Sequence, residues 1–200
     1  MQMSMDSETH PLEPFLPADS KLLMCGTFPP KRNRWSMEFY YPNFINDMWR
    51  IFGIVYFGDK NYFVDASAKT FKVELIKKLL VEKGIALSDT GKEVVRMKDN
   101  ASDKWLQIDR PIDLCATLSV MPGCVAVATT GEKAAGVIAE LTATEVPKVG
   151  EWRECVLAMP DGSLRHFHHW RMPSSSRAYP LKLEKKAEYY GAMLRATGLI

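Results

Sequence analysis

Residues 22–52 read LLMCGTFPPKRNRWSMEFYYPNFINDMWRIF, and the fold turns on how this stretch divides. Leu22 to Cys25 is a short apolar run stopped by Gly26, the pattern of a central strand. A Gly/Pro loop follows, then a basic segment and an aromatic cluster. Ile45, Met48, Trp49 and Phe52 then recur at the spacing of one helical face, which predicts a helix docked on a core. A buried strand that opens into a helix sets its loop outside the strand's carboxyl end, where α/β sheets take their ligands.

Strand and helix patterns alternate along the rest of the chain. Lys69 to Lys83 reads as a helix with Phe71, Leu75, Ile76, Leu79 and Leu80 in one stripe, and Gly84 is its stop. Ile85 to Leu87 is a second buried strand ending in Ser88, Asp89 and Thr90. Gly91 to Lys104 is charged and turn-rich, a loop. Asp109 with Pro111 predicts an N-cap and early-turn proline for a helix through about Val120. Cys124 to Ala128 is a third strand, and Glu132 to Leu141 a helix with Ala135, Ile138 and Leu141 on one side. Cys155–Met159 and Leu164–Met172 flank the turn Pro160-Asp161-Gly162-Ser163, so they pair as a hairpin whose second strand joins the sheet. Pro180 opens a last helix with Leu183, Ala187, Tyr190 and Leu194 facing inward.

This order predicts an α/β protein, three layers with a mostly parallel sheet and helices on both faces. One domain is expected over residues 21–200. The polar, proline-rich residues 1–20 read as an extension, mobile over the first ten and pinned through Phe15 and Leu16.

The net charge of +2 is too small to announce a nucleic-acid partner. Lys31, Arg32 and Arg34 do cluster, as do Arg165, Arg171 and Arg177; each group is either a solvated loop or a phosphate contact. Cys25, Cys115, Cys124 and Cys155 form no CxxC pair, which argues against a local metal or iron–sulfur cluster. Cys25, Cys115 and Cys124 read as core residues. No apolar leader and no run of membrane-spanning length is present, so a cytoplasmic, reduced setting without a membrane partner is the expectation.

The loop Gly26-Thr27-Phe28-Pro29-Pro30 lacks the Lys-Ser/Thr of a phosphate-cradling loop. Phe28 is open to two readings, core residue or cleft wall. Phe39, Tyr40 and Tyr41 either stack unpaired bases or cover the sheet edge. Asn43 most simply caps the helix, whereas Asn46 is either a second capping amide or a neutral group that positions water or a base edge. His166, His168 and His169 alternate faces on a strand and have no carboxylate beside them in sequence, a poor metal set. Pro173-Ser174-Ser175-Ser176-Arg177 suits phosphate contacts and equally an ordinary hydroxyl-rich turn.

Two of these segments together resemble the uracil-DNA glycosylase superfamily. They are Gly26-Thr27-Phe28-Pro29 with the following Tyr40-Tyr41-Pro42-Asn43-Phe44-Ile45-Asn46-Asp47-Met48-Trp49, and the Pro173–Arg177 loop before the last helix. The Tyr-Tyr and Asn-x-x-Trp pattern is most similar to the mismatch-specific and hypoxanthine-type branch. The resemblance implies an α/β/α sandwich on a four-stranded parallel sheet, no cofactor and no metal. It implies excision of a deaminated base, uracil or hypoxanthine, flipped out of DNA into the pocket. On that reading Asn46 is catalytic, and Thr27, Phe28, Tyr41, Ser88 and Asp89 bind the base. Lys31, Arg32, Ser174, Ser175, Ser176 and Arg177 bind DNA. Many members carry Asp or Asn where this chain has Phe28, and the uracil enzymes carry His where it has Met172. Those two departures motivate an alternative: a member that binds nucleic acid through the same groove without chemistry. A hydrolase acting on a free nucleoside is the third reading.

Overall fold

A computed structural model gives the fold over residues 7–97 and 103–200. Ser7–Thr9 (β1) comes first, then Leu22–Gly26 (β2) and Met48–Phe57 (α1). Val64–Asp65 (β3) pairs with Thr70–Phe71 (β4), ahead of Val73–Lys83 (α2) and Ile85–Asp89 (β5). Gly91–Arg96 (β6) and Leu106–Pro111 (β7) precede Leu114–Ser119 (α3). Ala126–Thr129 (β8), Glu132–Leu141 (α4), Trp152–Ala158 (β9), Leu164–Arg171 (β10) and Leu183–Ala196 (α5) follow.

The main sheet runs β5-β2-β8-β10-β9. Four strands are parallel, as expected, and β9 is added antiparallel on β10 because the hairpin brings it along. Strand alternation splits the core in two. Leu22, Met24, Leu87 and Ala128 face one layer, with Trp49 and Phe52 of α1, Ile76 and Leu80 of α2, and Tyr190 and Leu194 of α5. Leu23, Cys25, Ala86 and Val127 face the other, with Leu114 and Leu118 of α3 and Ile138 of α4. A strand clothed on both faces has to be apolar throughout, which is why LLMC and AVA carry no polar residue. No helix among the described residues is long and apolar enough to cross a membrane.

Several local readings need correction. Helix α1 starts at Met48, so Ile45 lies outside it and is 55% exposed. Helix α2 starts at Val73 because Thr70 and Phe71 pair with β3, and its Leu75 faces solvent. The expected loop from Gly91 contains β6, and the expected helix start at Asp109 lies in β7. These strands form a side sheet ordered β1-β6-β7, one face of which buries Val94 and Leu106. Charged residues on its outer face hid the alternation. Asp113, not Asp109, caps α3, accepting from Ala116 N–H at 2.8 Å. Helix α5 starts at Leu183 rather than Pro180. Cys155 is buried and Cys115 partly exposed, the reverse of expectation for Cys115. Gly84, at φ +67, closes α2 as read from sequence.

Of the lead-in expected to be mobile, residues 1–6 lie outside the described residues, and Ser7 to Thr9 pair with β6. Farther on, Phe15 N–H donates to Leu87 O at 2.9 Å and Leu87 N–H to Phe15 O at 2.8 Å. This bridge lies on the outer edge of β5.

His169 on β10 is fully buried, its Nε2 3.0 Å from Thr129 Oγ1 and its Nδ1 without a hydrogen-bond partner among the described residues. Burial pushes its pKa down from 6.5 to about 4. An unfolded chain therefore takes up this proton as pH falls through about 6.5, and the folded chain does not until about 4. Stability from this group is complete above that window and is lost across it, by about 3 kcal/mol in all. Urea midpoints at pH 7.5 and 4.5 should show the fall, and His169→Gln should flatten it.

Candidate active site

Strand β2 is the switch point of the sheet: the chain first passes to β5 on one side, then crosses to β8 on the other. At the carboxyl ends of these strands lies a cleft of about 550 Å³. Its floor and walls come from Gly26 to Pro30 after β2, Tyr40 to Asn46 before α1, Asp89 of β5 and Thr130 after β8. Asp103 before β7 and the loop Ser174 to Pro180 before α5 close it. Segments far apart in sequence thus meet where such sheets bind ligands.

Gly26 leaves room that no other residue would. A Cβ there would stand 2.7 Å from Asp89 Oδ1 and 3.5 Å from Tyr41 Oη. Gly26→Ala should cost about 1–3 kcal/mol of stability by overpacking, read from the urea midpoint.

Tyr41 holds φ +53, a strained backbone for an aromatic residue. Its hydroxyl lies 3.0 Å from Thr130 Oγ1, and its ring meets Trp49 edge-on. Burial, with the Asp89 carboxylate second, raises the phenol well above its usual range, so it stays a neutral wall of the cleft. Phe28 is the opposite wall in character: half-buried, with the His10 ring edge-on at 5.1 Å and the Arg96 guanidinium over it at 5.5 Å.

Asn46 Oδ1 accepts from Met48 N–H at 2.9 Å. Because that N–H requires an acceptor, the amide must turn its oxygen to the helix start and its NH₂ away. Nδ2 has no partner among the described residues, and Asn46 lines the cleft. Asn43 does not cap the helix. Its Oδ1 accepts from Ile45 N–H at 3.1 Å, closing an earlier turn.

The next residue, Asp47, is buried beneath the site. Lys186 Nζ, fully buried on α5, donates to Asp47 Oδ2 at 2.9 Å and to Ser176 O at 2.7 Å. Arg177 Nη2 donates to Asp47 Oδ1 at 3.1 Å, and Asp47 N–H donates to Ser175 O at 2.9 Å. The serine loop is thereby welded to the start of α1. Within it, Ser174 Oγ accepts from Ser176 N–H and Ser176 Oγ from Ala178 N–H. Arg177 is half exposed at the rim.

Thr27, Phe28, Tyr41, Asn46, Asp89, Ser174, Ser175, Ser176 and Arg177 are brought together at the cleft. Ser88 is not. It alternates with Asp89 along β5, and its hydroxyl receives Lys92 Nζ at 2.8 Å. Lys31 and Arg32 lie outside the lining as well. Arg32 pairs with Glu38 and covers the Trp35 ring at 4.3 Å, while Arg34 reaches the cleft instead. Met172 is buried in the core. His166 and His168 face solvent, His168 stacked on Trp152 at 4.0 Å.

Two acidic positions gain partners that the sequence did not announce. His10 Nε2 sits 2.9 Å from Asp89 Oδ2, with its Nδ1 2.9 Å from Leu12 O. Thr27 Oγ1 donates to Asp103 Oδ2 at 2.7 Å. Burial raises the Asp103 carboxyl above its ordinary range; the Thr27 hydrogen bond opposes this, and Asp89 adds to it. Lys186 did leave a signal, a lone charge in the stripe of Leu183, Ala187 and Tyr190.

No protein-family model matches the chain, and no curated protein matches it. Among solved structures it is similar to a candidate uracil DNA glycosylase from Methanosarcina acetivorans, determined by solution NMR. The TM-score is 0.56 at 19% identity, over 92% of this chain and 97% of that one. The chain therefore shares the α/β fold of that structure, with its cleft at the carboxyl ends of the central parallel strands.

Proposed function

We propose that this chain is a DNA glycosylase that hydrolyses the N-glycosidic bond of a flipped deaminated base, uracil or hypoxanthine. The observation that carries the reading is Asn46: its oxygen is bound to the helix start while its NH₂ group is left at a cleft walled by Tyr41. In this reading the base, extruded from the duplex, lies against the Tyr41 ring. Asn46 donates to the atom that gathers negative charge as the bond breaks, the kind of preorganised donor that favours a transition state. Ser174, Ser176 and Arg177 at the rim hold backbone phosphates. The Tyr-Tyr and Asn-x-x-Trp pattern favours the mismatch-specific and hypoxanthine-type branch, and the shape similarity supports the wider assignment.

A panel of duplexes carrying uracil, hypoxanthine, xanthine or a T·G mismatch, scored for abasic sites with chelator present, tests it. Release from the uracil or hypoxanthine duplex is expected; no abasic product from any of them sinks the assignment. A second reading, nucleic-acid binding without chemistry, is favoured by the apolar Phe28 wall and the buried Met172. It requires DNA affinity that falls linearly in log K with log salt, and no product from any lesion.

A further inference from the structure

Phe28 raises a question that Asn46 cannot answer. Hydrolysis needs a group to take the proton of the attacking water, and a neutral amide is no base. The cleft contains two carboxylates, Asp89 and Asp103. Asp89 Oδ2 is committed to the His10 imidazole at 2.9 Å, and its Oδ1 would stand 2.7 Å from a Cβ placed on Gly26. Asp103 is held by a neutral hydroxyl instead. One oxygen is fixed by Thr27 Oγ1 at 2.7 Å, and the other has no hydrogen-bond partner among the described residues. Thr27 immediately precedes Phe28, so the side sheet delivers a carboxylate against the same loop by way of a different segment of the chain.

We propose that Asp103 is the general base of the reaction, taking the proton of the water that attacks C1′. This rests on the glycosylase reading above. One O–H bond of water breaks and its proton goes to the free Asp103 oxygen. The water oxygen bonds to C1′ as the C1′–N bond breaks, and that electron pair leaves with the base. The proton then passes from Asp103 to the departing base or to solvent, giving the free base and an abasic sugar with one water consumed.

The electrostatics suit the task. Desolvation lifts the Asp103 carboxyl toward the working range of a base, and Asp89 on β5 lifts it further. The Thr27 hydroxyl, Lys133 on α4 and Arg96 on β6 hold the rise in check. Its ionised form is the active one, so the rate climbs with pH through a limb above the ordinary aspartate range.

The test is single-turnover base release from a uracil or hypoxanthine duplex across pH, using the full chain. Asp103→Asn keeps the shape and removes the base. The rate constant is expected to fall about 10²–10⁴-fold with duplex affinity unchanged, and the limb to vanish. Thr27→Val removes a hydrogen bond from the charged form, so its limb should move to higher pH. A structural role for Asp103 would leave the limb in place in Asp103→Asn, which overturns the assignment. A rate within threefold of wild type also overturns it. If Asp103→Asn does not fold, the Thr27→Val profile decides, and an unmoved limb defeats the assignment. Wild-type release with Asp103→Asn unimpaired defeats this assignment alone. A wild-type chain that releases no base defeats the glycosylase reading and this one with it.

Discussion

Lys186→Met should lower the unfolding free energy by about 3–5 kcal/mol, read from urea denaturation at neutral pH. The methionine keeps the stem of the side chain inside α5, so little packing is lost. What disappears is the cation that faces Asp47 Oδ2 at 2.9 Å and Ser176 O at 2.7 Å. Asp47 is then left buried with the half-exposed Arg177 as its remaining ion-pair partner among the described residues. The penalty belongs to the orphaned carboxylate rather than to the ion pair, because forming a buried pair itself returns little after desolvation. Asp47→Asn/Lys186→Met should consequently recover much of the loss, a coupling visible in the double-mutant cycle. A single Lys186→Met variant within 1 kcal/mol of wild type would show that water, not Lys186, satisfies Asp47.

Asn46→Asp and Asn46→Ala should both reduce base release by about 10²-fold or more, the scale of losing one preorganised donor. The two variants separate the chemical role from the structural one. Aspartate keeps an oxygen for Met48 N–H and suits a helix N-terminus, so its stability should match wild type. Alanine removes that bond and should cost about 1 kcal/mol. If Asn46 serves only to cap, Asn46→Asp will be as active as wild type, and the residue loses its place in the proposed mechanism.

The strands β2, β5 and β8 were legible because they are covered on both faces, and a doubly covered strand leaves an unbroken apolar run. Helix α4 was legible to the residue, bounded by Gly131 and a single stripe. The side sheet was not. Only one of its faces is covered, its strands are interrupted by bulges near Glu93, and charge dominates the rest. That failure propagates to the cleft. His10 and Asp103 arrive through the pairing of β1, β6 and β7, a long-range event with no local period to betray it. Asn46 and Tyr41 were legible as residue types in a pattern, yet the pattern could not show which end of the amide faces the cleft. Ser88 and Asp89 were adjacent candidates, and the alternation of β5 selects Asp89.

The weld between Asp47, the serine loop and Lys186 bears on how the molecule is made. During synthesis the chain emerges from its N-terminus, so Asp47 is exposed long before its partners at 175–177 and 186 exist. Until α5 docks, Asp47 at the start of α1 lacks the Lys186 cation that also holds Ser176 O. A nascent chain that ends before Lys186 therefore carries every residue that lines the cleft but lacks the cation that ties Asp47 to Ser176 O.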